Sequence, residues 1–159
     1  MSKRTRALAD RLERGAKALA AFASELTEAE WQTRIPSDGR KVGVIVHHVA
    51  SVYPLEIQLA HAIAEGSPVS ATWDDVHDMN ARHSSEYDSV TKEATLDLLR
   101  RNSADAAAAI RALTDAELDQ AVTVSLNAGA PLSCQFIVEA HAIGHSFHHL
   151  ALLRAALKR

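Results

Sequence analysis

Leu96-Asp97-Leu98-Leu99-Arg100-Arg101-Asn102-Ser103-Ala104-Asp105-Ala106-Ala107-Ala108-Ala109-Ile110-Arg111-Ala112-Leu113 sets apolar and small residues at helical steps. Leu96, Leu99, Ser103, Ala106, Ile110 and Leu113 fall three or four positions apart, so one stripe of this helix is apolar and the rest carries charge. Such a stripe must be covered by partners, and the flanking sequence supplies three more helical stretches. The first runs from Lys3 to Ser24, with Leu8, Leu12, Ala16, Leu19 and Phe22 on one side. Thr27 and Glu30 then have capping-box spacing for a short helix, and Ile35-Pro36-Ser37-Asp38-Gly39 reads as a loop. The second long helix spans Lys41 to Glu65 and stops at Gly66-Ser67-Pro68; Pro54 inside it removes one backbone bond to Ala50 and predicts a kink. The third region extends from Trp73 to Leu113 with a bend near Ser89, and the capping-box spacing recurs after it at Thr114 and Glu117. Val122-Thr123-Val124-Ser125 alternates like an extended segment, Asn127 to Pro131 is rich in turn residues, and Ser133 is placed to cap a final helix reaching Leu157. The expected architecture is all-α, a four-helix bundle forming one domain over residues 1–159.

Composition agrees. Hydrophobic residues make up 47% and charged residues 23%, while six Gly and four Pro are too few for many short strands joined by tight turns. A formal charge of −3 gives no electrostatic basis for nucleic acid binding. A single cysteine excludes an internal disulfide framework and fits a reducing compartment. Two histidines, Glu56 and Gln58 interrupt the apolar stretch from Val42 to Ile63, which argues against a membrane span. No signal peptide is evident, and the expected location is cytoplasmic.

Nine histidines are many for 159 residues. His145 and His149 lie four apart in the final helix, on adjacent turns of one face, and can reach one metal ion together. Ideal projection sets them amid Val138, Ala142, Leu152, Leu153 and Ala156. A third ligand must come from another helix. His48 falls among Val44, Ile45, Val52, Leu55, Leu59 and Ile63, whereas His47 projects to the opposite side, towards solvent. Burying three unpaired imidazoles is costly, so the spacing leaves two readings, a shared ion or a purely structural bundle in which the histidines satisfy one another. Glu56, some 80° from His48 by about 100° per residue, is close enough to orient a ligand. Val76, Asn80, His83 and Tyr87 share a narrow arc; turned inward they line a pocket, and the plainer alternative is a satisfied interhelical hydrogen-bond network.

Several enzyme classes fail on spacing. Ser146 stands where a zincin motif carries its Glu. Paired Glu-x-x-His motifs, a P-loop, a Gly-x-Gly-x-x-Gly and a Gly-x-Ser-x-Gly elbow are absent from the sequence. Cys134 begins a helix, where a thiol pKa can fall, but no base is identified beside it.

Val42-Gly43-Val44-Ile45-Val46-His47-His48-Val49-Ala50 resembles the second-helix signature of the DinB/YfiT-like metalloenzyme superfamily. Gly144-His145-Ser146-Phe147-His148-His149-Leu150, continuing to Leu153-Arg154, is similar to its last-helix motif, and Asn80-Ala81 is a weaker match. The resemblance implies an up-down-down-up bundle with a long crossover, often a homodimer. It also implies a metal triad at His48, His145 and His149, with zinc or nickel as the associated metals. Some members of that superfamily are thiol S-transferases using a low-molecular-weight thiol, and a related isomerase branch uses a Glu ligand where this chain has His.

Two functions are therefore carried forward. One is a divalent-metal-dependent enzyme acting on a small molecule, using a metal-activated thiol or water, with His83 or Glu56 as proton acceptor and zinc, nickel or iron as the ion. The other is a metal-binding or degenerate dimerising module without turnover.

Overall fold

The computed structural model describes residues 2–159. Helix α1 spans Lys3–Ser24 and starts in a capping box between Ser2 and Thr5. Thr27 and Glu30 form the anticipated box for the short α2, Glu28–Gln32. Helix α3 covers Val42–Ala64. The third region divides into α4 (Trp73–Glu86), which has its own capping box between Thr72 and Asp75, and α5 (Lys92–Ala112). The short α6, Asp115–Asp119, begins at the Thr114–Glu117 box. Strands β1 (Ala121–Thr123) and β2 (Pro131–Ser133) then pair antiparallel, Val122 opposite Leu132. Thus the extended segment legible in the sequence is half of a small hairpin, whose return strand runs from the end of the turn-rich stretch at Pro131 to the capping Ser133.

The final helix starts as α7 (Cys134–Ile137), with the Ser133 hydroxyl accepting from the Phe136 N–H as expected. It continues without a break through a π-helical stretch, Val138–Ile143, into α8, Gly144–Leu157. The wider turn shifts the phase of everything beyond it. Ser146, His149, Leu150 and Leu153 are therefore the buried positions of α8, while Leu152 is only half-buried and Ala156 is exposed. A uniform projection of about 100° per residue, which takes no account of that turn, places Leu152 and Ala156 on the inner stripe.

Four long helices pack in the cyclic order α1, α5, α3, α8. Side-chain contacts give their directions. Arg111 near the end of α5 pairs with Asp10 and Glu13 near the start of α1, while Lys92 at the start of α5 reaches the Leu26 carbonyl beyond the end of α1. These two helices are antiparallel. Trp31 lies against Gly43 and donates to the Val90 carbonyl, and Asn102 donates to the Ala50 carbonyl, so α3 and α5 run parallel. Arg11 pairs with Glu139 and Arg159 with Glu30, so the final helix runs parallel to α1. The result is up-down-down-up, with α4 carried on the long crossover from α3 to α5.

Pro54 is accommodated inside α3 because the carbonyl it leaves free, that of Ala50, accepts from Asn102 Nδ2 at 2.8 Å. Among the described residues α3 is the one helix long and apolar enough to cross a bilayer, but 67% of that stretch is buried inside the bundle. Its apolarity is that of a core helix. Gly43 is needed there: a Cβ at this position would sit 2.5 Å from the Trp31 indole nitrogen. Leu12, Leu19, Tyr53, Leu99, Ile110 and Ile137 anchor one continuous core.

Candidate metal centre

His48 comes from the second turn of α3, and His145 and His149 come from successive turns of α8. Ring centroids are 5.0 Å apart for His48–His145, 5.6 Å for His48–His149 and 4.7 Å for His145–His149. One ligand nitrogen from each ring lies within 4.8 Å of the other two. Nitrogens bound tetrahedrally about 2.0–2.1 Å from zinc are roughly 3.3 Å apart, so small side-chain rotations close the set.

Each ring is set by its surroundings. Glu56, two turns after His48 on α3, accepts from His145 Nδ1 at 2.7 Å. That bond fixes the tautomer and leaves His145 Nε2 as the nitrogen facing the triad. Ser146, in the place of a zincin Glu, is wholly buried and hydrogen-bonds the Tyr53 hydroxyl, tying α8 to α3 beside the site. Burial holds the Tyr53 hydroxyl un-ionised, its pKa pushed up to about 12. Burial also pushes His48 down to about 2 and His149 down to about 3, reinforced in each by the His145 and Arg40 charges. Both rings are therefore neutral at pH 7, the form in which imidazole binds metal.

Two buried polar atoms here have no protein partner, His149 Nδ1 and Glu56 Oε2. Such atoms are expensive unless something polar or charged meets them. Three neutral imidazoles, one held by a carboxylate, together with these orphaned atoms, make a donor set that fits a divalent cation. Three ligands leave a position open, the pattern of catalytic rather than structural zinc sites.

His47 departs from expectation. It is buried, only 6% exposed, with Nδ1 2.8 Å from His83 Nε2 and its ring stacked on Tyr87 at 4.1 Å. The α4 crossover covers the flank that the projection left to solvent. A signal was present, since Val42, Val44, Ile45, Val46 and Val49 surround this part of α3 with apolar groups and leave no polar face. His83 lies 5.4 Å from the His48 ring, and burial, then the His47 charge, pushes its pKa down to about 4. The α4 arc does turn inward, yet its network is incomplete: His83 Nδ1 and Asn80 Oδ1 are buried without partners. Cys134 is buried, as a packing residue is, and burial raises its thiol to about 11, outweighing its place at a helix start. Sequence reading missed Arg40 altogether. It is clamped to Asp38 through Nε and Nη2, at 2.6 and 2.8 Å, and lines the cavity beside His48 and His149.

The sequence model of the DinB superfamily matches residues 11–153, nearly the whole chain. The chain belongs to the DinB superfamily. Among solved structures, this DinB-superfamily chain is similar to YfiT from Bacillus subtilis, described as a probable metal-dependent hydrolase with an unusual four-helix bundle topology. That likeness has a TM-score of 0.72 at 18% identity and covers 99% of this chain and 90% of YfiT, so it concerns the fold. Comparison with curated proteins finds no match.

Proposed function

We propose that this DinB-superfamily chain is a divalent-metal-dependent enzyme acting on a small molecule, with His48, His145 and His149 holding the ion. The observation that carries this reading is the convergence of three imidazoles, one of them clamped by Glu56. A divalent cation bound there lowers the pKa of a coordinated water or thiol and so supplies a nucleophile at neutral pH. Glu56 acts by orienting His145, because its Oε1 is already engaged at 2.7 Å. His83 is the candidate proton acceptor by position alone: its ring lies 5.4 Å from that of His48, and when His47 Nδ1 takes the bond from His83 Nε2–H, its Nδ1 is a buried lone pair without a partner. Apolar walls from α3, α4 and the final helix limit water beside the triad.

Hydrolysis, with water as nucleophile, is supported by the similarity to YfiT. Transfer to a low-molecular-weight thiol is supported only by the resemblance of the α3 and last-helix motifs to the superfamily, some of whose members are thiol S-transferases. One panel separates them. Protein loaded with zinc, nickel or ferrous iron is offered activated esters and amides, then a haloarene with several cellular thiols. Turnover without thiol, abolished by chelation and strongly reduced in His83→Ala at unchanged metal affinity, identifies the hydrolase. Turnover confined to thiol-containing mixtures identifies the transferase. Metal binding with no turnover in either arm leaves a metal-binding module.

A further inference from the structure

The cavity over the triad, about 850 Å³, is polar at one end and apolar at the other. The helices show the trend in different degrees. On α3 the lining passes from His48 through Val52 and the carboxylate of Glu56 to Leu59, and on α4 from Asn80 to Val76 and Trp73. On the final helix it passes from His149 and His145 through His141 to Ile137 and Phe136. Eleven residues separate His48 from Leu59, roughly 16 Å at 1.5 Å per helical residue. The hairpin lines the far end with Val124, Leu126, Asn127 and Leu132.

Four large hydrophobic side chains are exposed among the described residues: Leu55, Trp73, Phe136 and Phe147. The first three line this one cavity. Exposure collected at one mouth, continuous with a polar centre, marks a ligand site rather than scattered surface apolarity. At the polar end, Arg40 spends Nε and Nη2 on Asp38, while Nη1 makes no hydrogen bond to protein among the described residues. A guanidinium held in that way presents a fixed N–H to an anion.

We infer that the substrate is an elongated small molecule with a compact anionic, metal-coordinating head and an apolar body. Its head lies between the triad and Arg40, and its body runs along Val52, Leu59, Val76 and Ile137 to the hairpin. Only the coordination of the head rests on the metal-enzyme reading; the apolar channel and Arg40 do not.

The test follows Trp73 fluorescence at the cavity mouth. Acetohydroxamate, butyrohydroxamate, hexanohydroxamate and octanohydroxamate are titrated into zinc-loaded protein, and the matching carboxylates into metal-free protein. Each methylene buried should tighten binding by up to about fourfold, with one ligand bound per chain. Leu59→Arg or the exposed-site variant Phe136→Ala should reduce that gain, and Arg40→Gln should weaken the carboxylates of every length. A chain-length gain in the carboxylate arm without acetohydroxamate binding to zinc-loaded protein would uphold the anionic head and apolar body and sink the metal centre. Acetohydroxamate binding with no gain from longer chains in either arm overturns the inference and leaves the metal centre standing. A gain that persists in Leu59→Arg, or that vanishes as protein concentration rises because a second copy covers the mouth, also overturns it.

Discussion

Replacing Glu56 isolates the part of the site that the fold contributes beyond its three ligands. Glu56 Oε1 lies 2.7 Å from His145 Nδ1, and the two side chains are only 10% and 21% exposed. A carboxylate in that position holds the ring in one tautomer and makes Nε2 a stronger donor, and losing such a partner typically lowers metal affinity 10–100-fold, about 1.4–2.7 kcal/mol. Gln keeps an acceptor for the Nδ1–H but removes the charge, so Glu56→Gln belongs near tenfold. Glu56→Leu removes both and belongs near a hundredfold. Stability of the metal-free protein should change little in Glu56→Gln, which keeps an acceptor for His145 Nδ1, whereas Glu56→Leu orphans that N–H at about 1–3 kcal/mol, offset in part because Glu56 Oε2 is already buried without a partner. Zinc competition against a chromophoric chelator gives the affinities, and urea denaturation of the metal-free proteins gives the stabilities. Wild-type zinc affinity in Glu56→Leu, or tighter binding by Leu than by Gln, would refute the reasoning.

Acidification should destabilise the metal-free protein. His48 and His149 stay neutral in the fold down to about 2 and about 3, while in the unfolded chain they take up protons below about 6.5. The unfolded state therefore binds more protons, and stability falls as pH drops through about 6.5. At about pH 5.5 the two together cost up to roughly 3 kcal/mol, and urea midpoints that do not move between pH 7.5 and 5.5 would contradict this. Gly43→Ala should destabilise by about 3 kcal/mol, since its Cβ must displace the Trp31 indole, which lies 2.5 Å away at Nε1 and bonds the Val90 carbonyl; chemical denaturation followed by tryptophan fluorescence reads it. Asn102→Leu should cost about 1–3 kcal/mol by orphaning the Ala50 carbonyl. Most of that cost should disappear in a Pro54→Ala background, where the new backbone N–H at position 54 serves the same carbonyl, and equal costs in both backgrounds would count against it.

The helices were legible because their signals are local. Thr27 with Glu30, Thr114 with Glu117, and Ser133 each cap where their spacing says, and the stripe from Leu96 to Leu113 packs inward. The triad was legible because His48, His145 and His149 lie on stripes that any bundle must bury. What failed depended on contacts between distant segments. His47 is covered by α4, and Arg40 faces the cavity from a loop whose fold no periodicity describes. Leu55 belonged by projection to the buried His48 stripe, yet it is 46% exposed because α3 borders a cavity there rather than a helix. The π-helical stretch moved Leu152 and Ala156 off the inner stripe through a change of phase that residue types do not announce.

The central claim is that one ion sits among His48, His145 and His149. Its most direct test is elemental analysis of protein purified without a histidine tag, beside His48→Ala, His145→Ala and His149→Ala. The account predicts about one equivalent of a divalent transition metal per wild-type chain, tighter thermal stability with metal than after chelation, and loss of both in each variant. A wild-type protein that takes up no stoichiometric metal when offered zinc, nickel or ferrous iron, and melts at the same temperature with and without it, would contradict the claim.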